Sequence, residues 1–212
     1  MFSSEQLLGF AIASIICTIA PGPDNLAVLS LGLSRGRSAG MGFALGCGLG
    51  CLTHTTWATL GVSALIATSE LAFQILKYAG AAYLIYLGIV AFQSKGVRIP
   101  SFETNPDSKQ HFWQFVGRGL IANAINPKVA LFFLAFLPQF VQPGNRISLQ
   151  IAILGILFCL IASVLFLLLG YFAGALGTWL RARARVGKWL DRLAGCLLIS
   201  LGISLIFSQR SA

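Results

Sequence analysis

Long apolar runs alternate along the chain with short polar connections, and this pattern predicts six membrane-spanning helices. A helix needs about 20 apolar residues to cross about 30 Å of hydrocarbon. Several of the runs are longer than this, so we expect some of the helices to tilt or kink. The predicted spans are 7–33, 39–67, 71–93, 112–140, 149–178 and 189–208.

The first apolar run is interrupted near its middle by a proline-rich stretch that ends in a charge. Pro21, Gly22 and Pro23 disrupt the helix, because proline has no backbone N–H and glycine disfavours helical structure. Asp24 follows at once, and a carboxylate facing lipid at this depth would be very costly. Such a break beside a charge favours an ion or solute site. The alternative is a proline kink in which Asp24 caps the outer half-helix.

The long polar connection 94–111 divides the single transmembrane domain, residues 1–212, into two halves of three spans each. An odd number of spans per half places the halves, 7–93 and 112–208, in opposite orientations. The halves also share sequence features. The segment from Ala79-Gly80 to Gly88 resembles the segment from Ala194-Gly195 to Gly202. We therefore predict an all-α integral membrane protein built as a 3+3 inverted repeat.

The second half carries a helix break of its own at Asn126, Pro127 and Lys128, again in the middle of an apolar run. Paired interruptions in the two halves of a transporter indicate its binding site. Asp24 would attract the ammonium of a zwitterion and Lys128 its carboxylate. Asn25, Asn123 and Asn126 would supply neutral hydrogen bonds. The alternative is a structural ion pair that only neutralises both charges.

Composition supports a membrane protein and disfavours nucleic acid as a partner. The chain is 57% hydrophobic and 10% charged, whereas a soluble domain carries about 25% charged residues. The net charge of +9 could suggest nucleic acid. However, the Lys and Arg residues fall in short clusters between apolar runs, so the lipid bilayer is the expected partner, and no nucleic acid is expected.

The basic clusters also predict the orientation of the spans. They fall in the first, third and fifth loops, and such loops face the cytoplasm. Both termini are therefore expected outside. The first run has no basic segment before it and is expected to be a retained span, not a signal peptide. Glu70 and Lys77, near the outer end of the third run, are expected to reach the membrane surface.

Several separated motifs resemble the LysE/RhtB amino-acid exporter family, which includes homoserine-, threonine- and leucine-type efflux proteins. The motifs are the stretch from Pro21 to Asn25 with the turn Ser34-Arg35-Gly36-Arg37, the segment from Gly80 to Gly88, and Asn126-Pro127-Lys128 leading into Phe136-Leu137-Pro138-Gln139-Phe140.

The resemblance extends over essentially the whole chain. It implies amino-acid export from the bacterial cytoplasm across the inner membrane, driven by protons, through an inverted repeat of six spans. It also assigns site positions to Pro21, Gly22, Pro23, Asp24 and Asn25, and to Asn126, Pro127 and Lys128. No residue decides among the family's basic, hydroxylated, branched and sulfur-containing substrates.

Proton coupling is expected at Asp24. Burial favours the neutral form of a carboxylic acid, and a nearby cation favours its charged form. Asp24 can therefore gain a proton when a substrate ammonium leaves. His54 is the second candidate, because an imidazole titrates near neutral pH. Alternatively, His54 only hydrogen-bonds Thr53, Thr55 or a backbone carbonyl.

The competing hypothesis is a metal-ion transporter that uses Cys47, Cys51, His54 and Asp24. The first three of these residues share one helix face. We favour the simpler interpretation that the cysteines pack as small apolar residues, and no disulfide or bound metal is expected. An enzyme is disfavoured, because the chain has no paired carboxylates, no Ser/His/Asp set and no phosphate-binding loop. No cofactor is expected.

Glycines repeat every fourth residue in the second run, at Gly42, Gly46 and Gly50. This spacing lets two helix backbones approach closely. Packing within the chain is the default interpretation, and a dimer interface is the alternative.

Overall fold

Helices make up the regular secondary structure in the part of the chain that the structure describes. The structure is a computed structural model, and it describes residues 2–63, 70–94, 111–142 and 146–207. The α-helices there are α1 (Ser4–Ile19), α2 (Pro23–Arg35), α3 (Arg37–Trp57), α4 (Glu70–Phe92), α5 (Phe112–Ala124), α6 (Pro127–Leu131), α7 (Ile147–Ala182) and α8 (Ala184–Phe207). Most of the expected loop 94–111, and the ends of the expected spans 39–67 and 189–208, lie outside the described residues.

Three described segments are long and apolar enough to cross a membrane on their own: Glu70–Phe92, Ile147–Trp179 and Arg185–Phe207. Two bent pairs qualify as broken spans, which raises the number to five. The helices of these pairs, α1 with α2 and α5 with α6 and its continuation to Phe140, are bent by 54° and 49°. The remaining expected span, 39–67, contains α3 and is not among them. The glycines, threonines and His54 of α3 reduce its hydropathy.

Two further segments depart from regular α-helix. Ala58–Val62 continues α3 as a π-helix, and Phe132–Phe136 continues α6 in the same way before a 3₁₀ turn at Leu137–Phe140. Such wide turns leave backbone groups less regularly paired and often occur at functional sites. The second broken span therefore contains a break, a π-helical segment and a 3₁₀ turn in succession.

Large apolar side chains remain exposed along most of the helices. Examples are Leu8 at 63%, Leu71 at 72% and Leu160 at 61% exposure. A soluble protein does not expose apolar surface on this scale, so these side chains are suited to contact lipid. The chain is a multi-pass membrane protein.

The helices are arranged as a central group and a peripheral pair. Helix α3 packs along α5 and α7, and α7 also packs along α2 and α1. Helices α4 and α8 pack mainly against each other. The two bent spans therefore lie in the central group, where both pack against α3 and α7.

Glycines bring α3 and α5 into backbone contact, as the spacing of Gly42, Gly46 and Gly50 predicts. A Cβ atom built at Gly46 would lie 2.1 Å from the carbonyl oxygen of Val116, and one built at Gly50 would lie 2.8 Å from that of Leu120. No side chain fits at either position. The glycine stripe thus packs within the chain, and its last member lies against Asn123.

A cluster of aromatic rings fills the space between α1, the segment after α6, and α7. The rings of Phe132 and Phe158 lie 4.9 Å apart, and those of Phe10 and Phe140 lie 5.3 Å apart. Phe133 joins the same cluster and lies 5.0 Å from Phe158. These large, rigid side chains hold the second broken span against α1 and α7.

Candidate functional site

The first break lies between α1 and α2, where the chain passes through Ala20, Pro21 and Gly22. The last carbonyls of a helix have no partner within it. Two side chains supply hydrogen-bond donors to these carbonyls at the end of α1. Asn25 donates from Nδ2 to the carbonyl oxygen of Thr18 at 2.9 Å, and Lys128 donates from Nζ to that of Ala20 at 2.8 Å.

The second break lies between α5 and α6, at Ile125 and Asn126. Asn126 is the N-cap of α6 and accepts a hydrogen bond through Oδ1 from the backbone N–H of Lys128 at 3.0 Å. Pro127 follows at the first helical position, where its missing N–H costs nothing. At the end of α5, the carbonyl oxygen of Asn123 accepts from Nε2 of His54 at 2.8 Å. Both breaks are therefore stabilised by side chains from elsewhere in the fold.

Asp24 is buried, with 2% of its surface exposed, in the first turn of α2. Its Oδ2 accepts one hydrogen bond from Nδ2 of Asn123 and one from Nδ2 of Asn126, each at 2.8 Å. Its other carboxylate oxygen, Oδ1, is buried and has no hydrogen-bond partner among the described residues. Oδ2 of Asp24 is thus held by the second break, whereas Oδ1 can still accept hydrogen bonds.

The charged side chain of each break contacts the other break. Lys128 reaches across to Ala20, and Asp24 reaches across to Asn123 and Asn126. The hydrogen bonds described for the two charges go to these different partners, so the structural ion pair considered above is not formed directly. Lys128 is buried, and a Cβ atom at Gly22 would lie 2.9 Å from its Nζ. Glycine at position 22 leaves room for the ammonium.

The five predicted polar site residues lie at the two breaks, where Asn25 also binds the end of α1. Its Nδ2 is used at Thr18, while its Oδ1 is buried without a partner in the described part of the chain. Oδ1 of Asn123 is in the same state. Together with Oδ1 of Asp24, the two breaks therefore carry three buried acceptor oxygens and no donor that matches them among the described residues.

His54 forms the backbone contact that the simpler interpretation predicts. Because a carbonyl oxygen only accepts, the hydrogen bond to Asn123 requires a proton on Nε2. The ring also lies 5.8 Å from that of Phe133. His54 is thus one residue removed from Asp24, since Asn123 contacts both. Its role in proton coupling stays a prediction.

The metal-transporter hypothesis finds no candidate site among the described residues. Across the described residues, no group of three or more His, Cys, Asp or Glu side chains could hold a metal ion. Cys47 and Cys51 are buried free thiols, and Cys51 donates to the carbonyl oxygen of Cys47 at 3.4 Å. This finding removes the support for the metal-transporter hypothesis.

One buried charge, Lys77, was misplaced from the sequence, and another, Asp191, was missed. Lys77 is only 5% exposed, so it does not extend to the protein surface as expected. Asp191 on α8 is also buried and accepts a hydrogen bond from the hydroxyl of Ser94 at 2.6 Å. The apolar run that begins at residue 189 contained the signal for Asp191, a carboxylate among apolar residues. Both residues lie on the peripheral pair of helices.

Comparison with known proteins identifies the family. The sequence profile of the LysE type translocator matches residues 15–209. The chain belongs to the LysE type translocator family. No solved structure matches it significantly.

Relatives of this LysE type translocator align over nearly their whole length. The uncharacterized membrane protein YrhP of Bacillus subtilis is 31% identical over 207 residues, which cover 94% of this chain and 97% of YrhP. The homoserine/homoserine lactone efflux protein of Salmonella typhimurium is 27% identical over 98% of both chains. The leucine efflux protein of an Enterobacter strain is 29% identical over 97% of this chain and 98% of its own.

Proposed function

We propose that this protein is a secondary active exporter of amino acids from the bacterial cytoplasm. The observation that carries the proposal is the reciprocal contact of Asp24 and Lys128 across two broken helices. Two relatives are named as efflux proteins for amino acids or their derivatives, which supports this choice of substrate. The family assignment supports transport in preference to catalysis.

The site suits the two charges of an amino acid. An ammonium has three N–H donors, and Oδ1 of Asp24, Asn25 and Asn123 are acceptors that lack donors in the described part of the chain. The carboxylate would be bound by Lys128, which would turn from the carbonyl of Ala20 to a charged acceptor. In the substrate complex, Lys128 would pair with an opposite charge, whereas the carbonyl of Ala20 offers it only a neutral acceptor.

Asp24 is the group that we propose to couple export to protons. At Oδ1 of Asp24, a substrate ammonium and a proton would compete, so the carboxylate would bind one or the other. Release of the amino acid outside would then be accompanied by uptake of a proton, which is released inside. His54 is the alternative carrier, through its contact with Asn123.

Helix packing supports an inverted repeat of six spans. In an inverted repeat, α3 of the first half corresponds to α7 of the second, and the first broken span corresponds to the second. The contact of α3 with α5 should therefore be matched by a contact of α7 with the first broken span, and both contacts occur. Within the peripheral pair, Gly88 faces Gly195, and Gly202 faces Ala81. This is the relation that the repeated sequence segments predict. We place both breaks near the bilayer centre, with both termini in the periplasm.

Flux measurements on the purified full-length protein in proteoliposomes test this proposal. Vesicles are loaded with single amino acids, and their release is followed with and without an imposed pH gradient. We expect at least one amino acid to leave faster when protons can move in the opposite direction. A complete panel of the twenty amino acids that shows no protein-dependent release would contradict the proposal.

A further inference from the structure

We infer that the site selects amino acids whose side chain is uncharged, and rejects those with a cationic or anionic side chain. The inference rests on the proposed function, because it assumes that the amino acid binds between the two breaks. It follows from the balance of buried charges around the breaks.

The buried charged side chains of the described residues are Asp24, Lys77, Lys128 and Asp191. Asp191 is bound to Ser94 at the end of α4. Lys77 lies on α4 about one turn before Gly80. A Cβ atom at Gly80 would meet Ala135, which follows Lys128 by about two helical turns. Only Asp24 and Lys128 lie at the breaks. The site therefore contains one negative and one positive group.

The backbone charges of an amino acid use both of these groups. Its ammonium neutralises Asp24, and its carboxylate neutralises Lys128, so the occupied site has no net charge. A second charge on the substrate side chain would find no opposite charge among the described residues at this level. Transfer of an unpaired charge from water into a membrane protein's interior is strongly unfavourable.

The remaining surroundings of the site are apolar or neutral. Cys17 is a buried, neutral thiol close to the end of α1, where the first break begins. Phe133 lies against His54, and Gly50 lies against Asn123. His54 does not provide a negative group in any protonation state. These neighbours suit an aliphatic or hydroxylated side chain better than a charged one.

Two pairs of substrates that differ in one charge test the inference in proteoliposomes. Norleucine and lysine have side chains of similar length, but only lysine carries a terminal ammonium. Glutamine and glutamate have nearly the same shape, but only glutamate carries a side-chain carboxylate. Transport of each compound is measured as kcat/KM at neutral pH, with empty vesicles as the control for leakage.

We expect the charged member of each pair to be transported about a hundredfold less efficiently than its neutral partner. If lysine or glutamate is transported within about threefold of its partner, the inference is wrong, while the proposed function is retained. If no amino acid of any class is transported, the proposed function fails, and the inference fails with it. The two failures are therefore distinguishable.

Discussion

At the scale of single residues, the site depends on side chains that satisfy backbone groups released by the helix breaks. Lys128 binds the carbonyl of Ala20, His54 binds that of Asn123, and Asn25 binds that of Thr18. A buried carbonyl without a partner would cost about 1–3 kcal/mol. These contacts explain how two interrupted helices remain stable within the fold.

The room that Gly22 leaves for Lys128 gives a prediction at this scale. Gly22 has an extended backbone conformation that alanine also adopts, so Gly22→Ala should fold. The new methyl group would lie within 3.4 Å of Cε and Nζ of Lys128 and would displace the flexible end of that side chain. We expect at least about tenfold weaker substrate binding. The loss of stability should be no larger than about 1–3 kcal/mol, the cost of one unpaired carbonyl.

Gly174→Ala is the matched control, because a Cβ atom there meets nothing within 4 Å. It should leave transport unchanged. Substrate affinity is measured by binding to the detergent-solubilised protein, and stability by thermal unfolding. Normal affinity in Gly22→Ala would show that the position of Lys128 is unimportant for binding.

At the scale of helices, backbone contact between α3 and α5 sets the position of Asn123. A Cβ atom at Gly119 of α5 would lie 2.1 Å from the carbonyl oxygen of Phe43 on α3. A Cβ atom at Gly46 of α3 would lie equally close to the carbonyl oxygen of Val116 on α5. Asn123 follows Gly119 by about one turn and donates to Asp24. The glycine stripe therefore aligns the end of α5 with the first break.

Substitution of Gly46 tests this alignment. Gly46→Ala places a methyl group against the backbone of α5, which cannot move aside as a flexible side chain can. We expect a loss of about 1–3 kcal/mol in stability, seen as a lower unfolding temperature, together with reduced transport. Gly117→Ala on α5 is the control, since no atom lies within 4 Å of its added Cβ. Equal stability of the two variants would refute the close packing.

At the scale of the whole molecule, the break of one half meets the break of the other at the candidate site. The bends of 54° and 49° are similar, and each half contributes one charge to the site. This arrangement suits alternating access, in which one half moves against the other around a fixed binding site. The gradients of substrate and proton would then set the direction of net transport.

A fusion experiment tests the orientation. The clusters of Lys and Arg in the expected odd-numbered loops predict that both termini lie in the periplasm. A reporter that is active only in the cytoplasm should give no signal when fused to Ala212. The same reporter fused after Gly96, in the third loop, should give a strong signal. A strong signal at Ala212 would reverse the assigned topology.

Much of this architecture was predictable because its signals are local. Proline lacks an N–H, and hydrocarbon tolerates few charges, so Pro21, Asp24 and Pro127 marked the breaks in the sequence. The helix bounds agree with the apolar runs for the same reason. The glycine spacing also predicted close packing, which the structure places within the chain.

The partners of the site residues were not predictable, because several of them are backbone carbonyls. Every residue has such a group, so the sequence does not mark Ala20 as the acceptor for Lys128 or Asn123 as that for His54. The burial of Lys77 depends on how the peripheral helices pack. Tertiary structure decided these features.

The most direct test of the account is proton-driven efflux by Asp24→Asn. Asparagine nearly preserves the shape of the side chain, and its carbonyl oxygen can still accept from Asn123 and Asn126. The variant should insert and unfold like the original protein. Efflux driven by a pH gradient should fall by at least about tenfold, because the titratable charge is lost. Efflux with an unchanged rate and pH dependence would show that Asp24 only links the two breaks through Asn123 and Asn126, and would contradict the proposed mechanism.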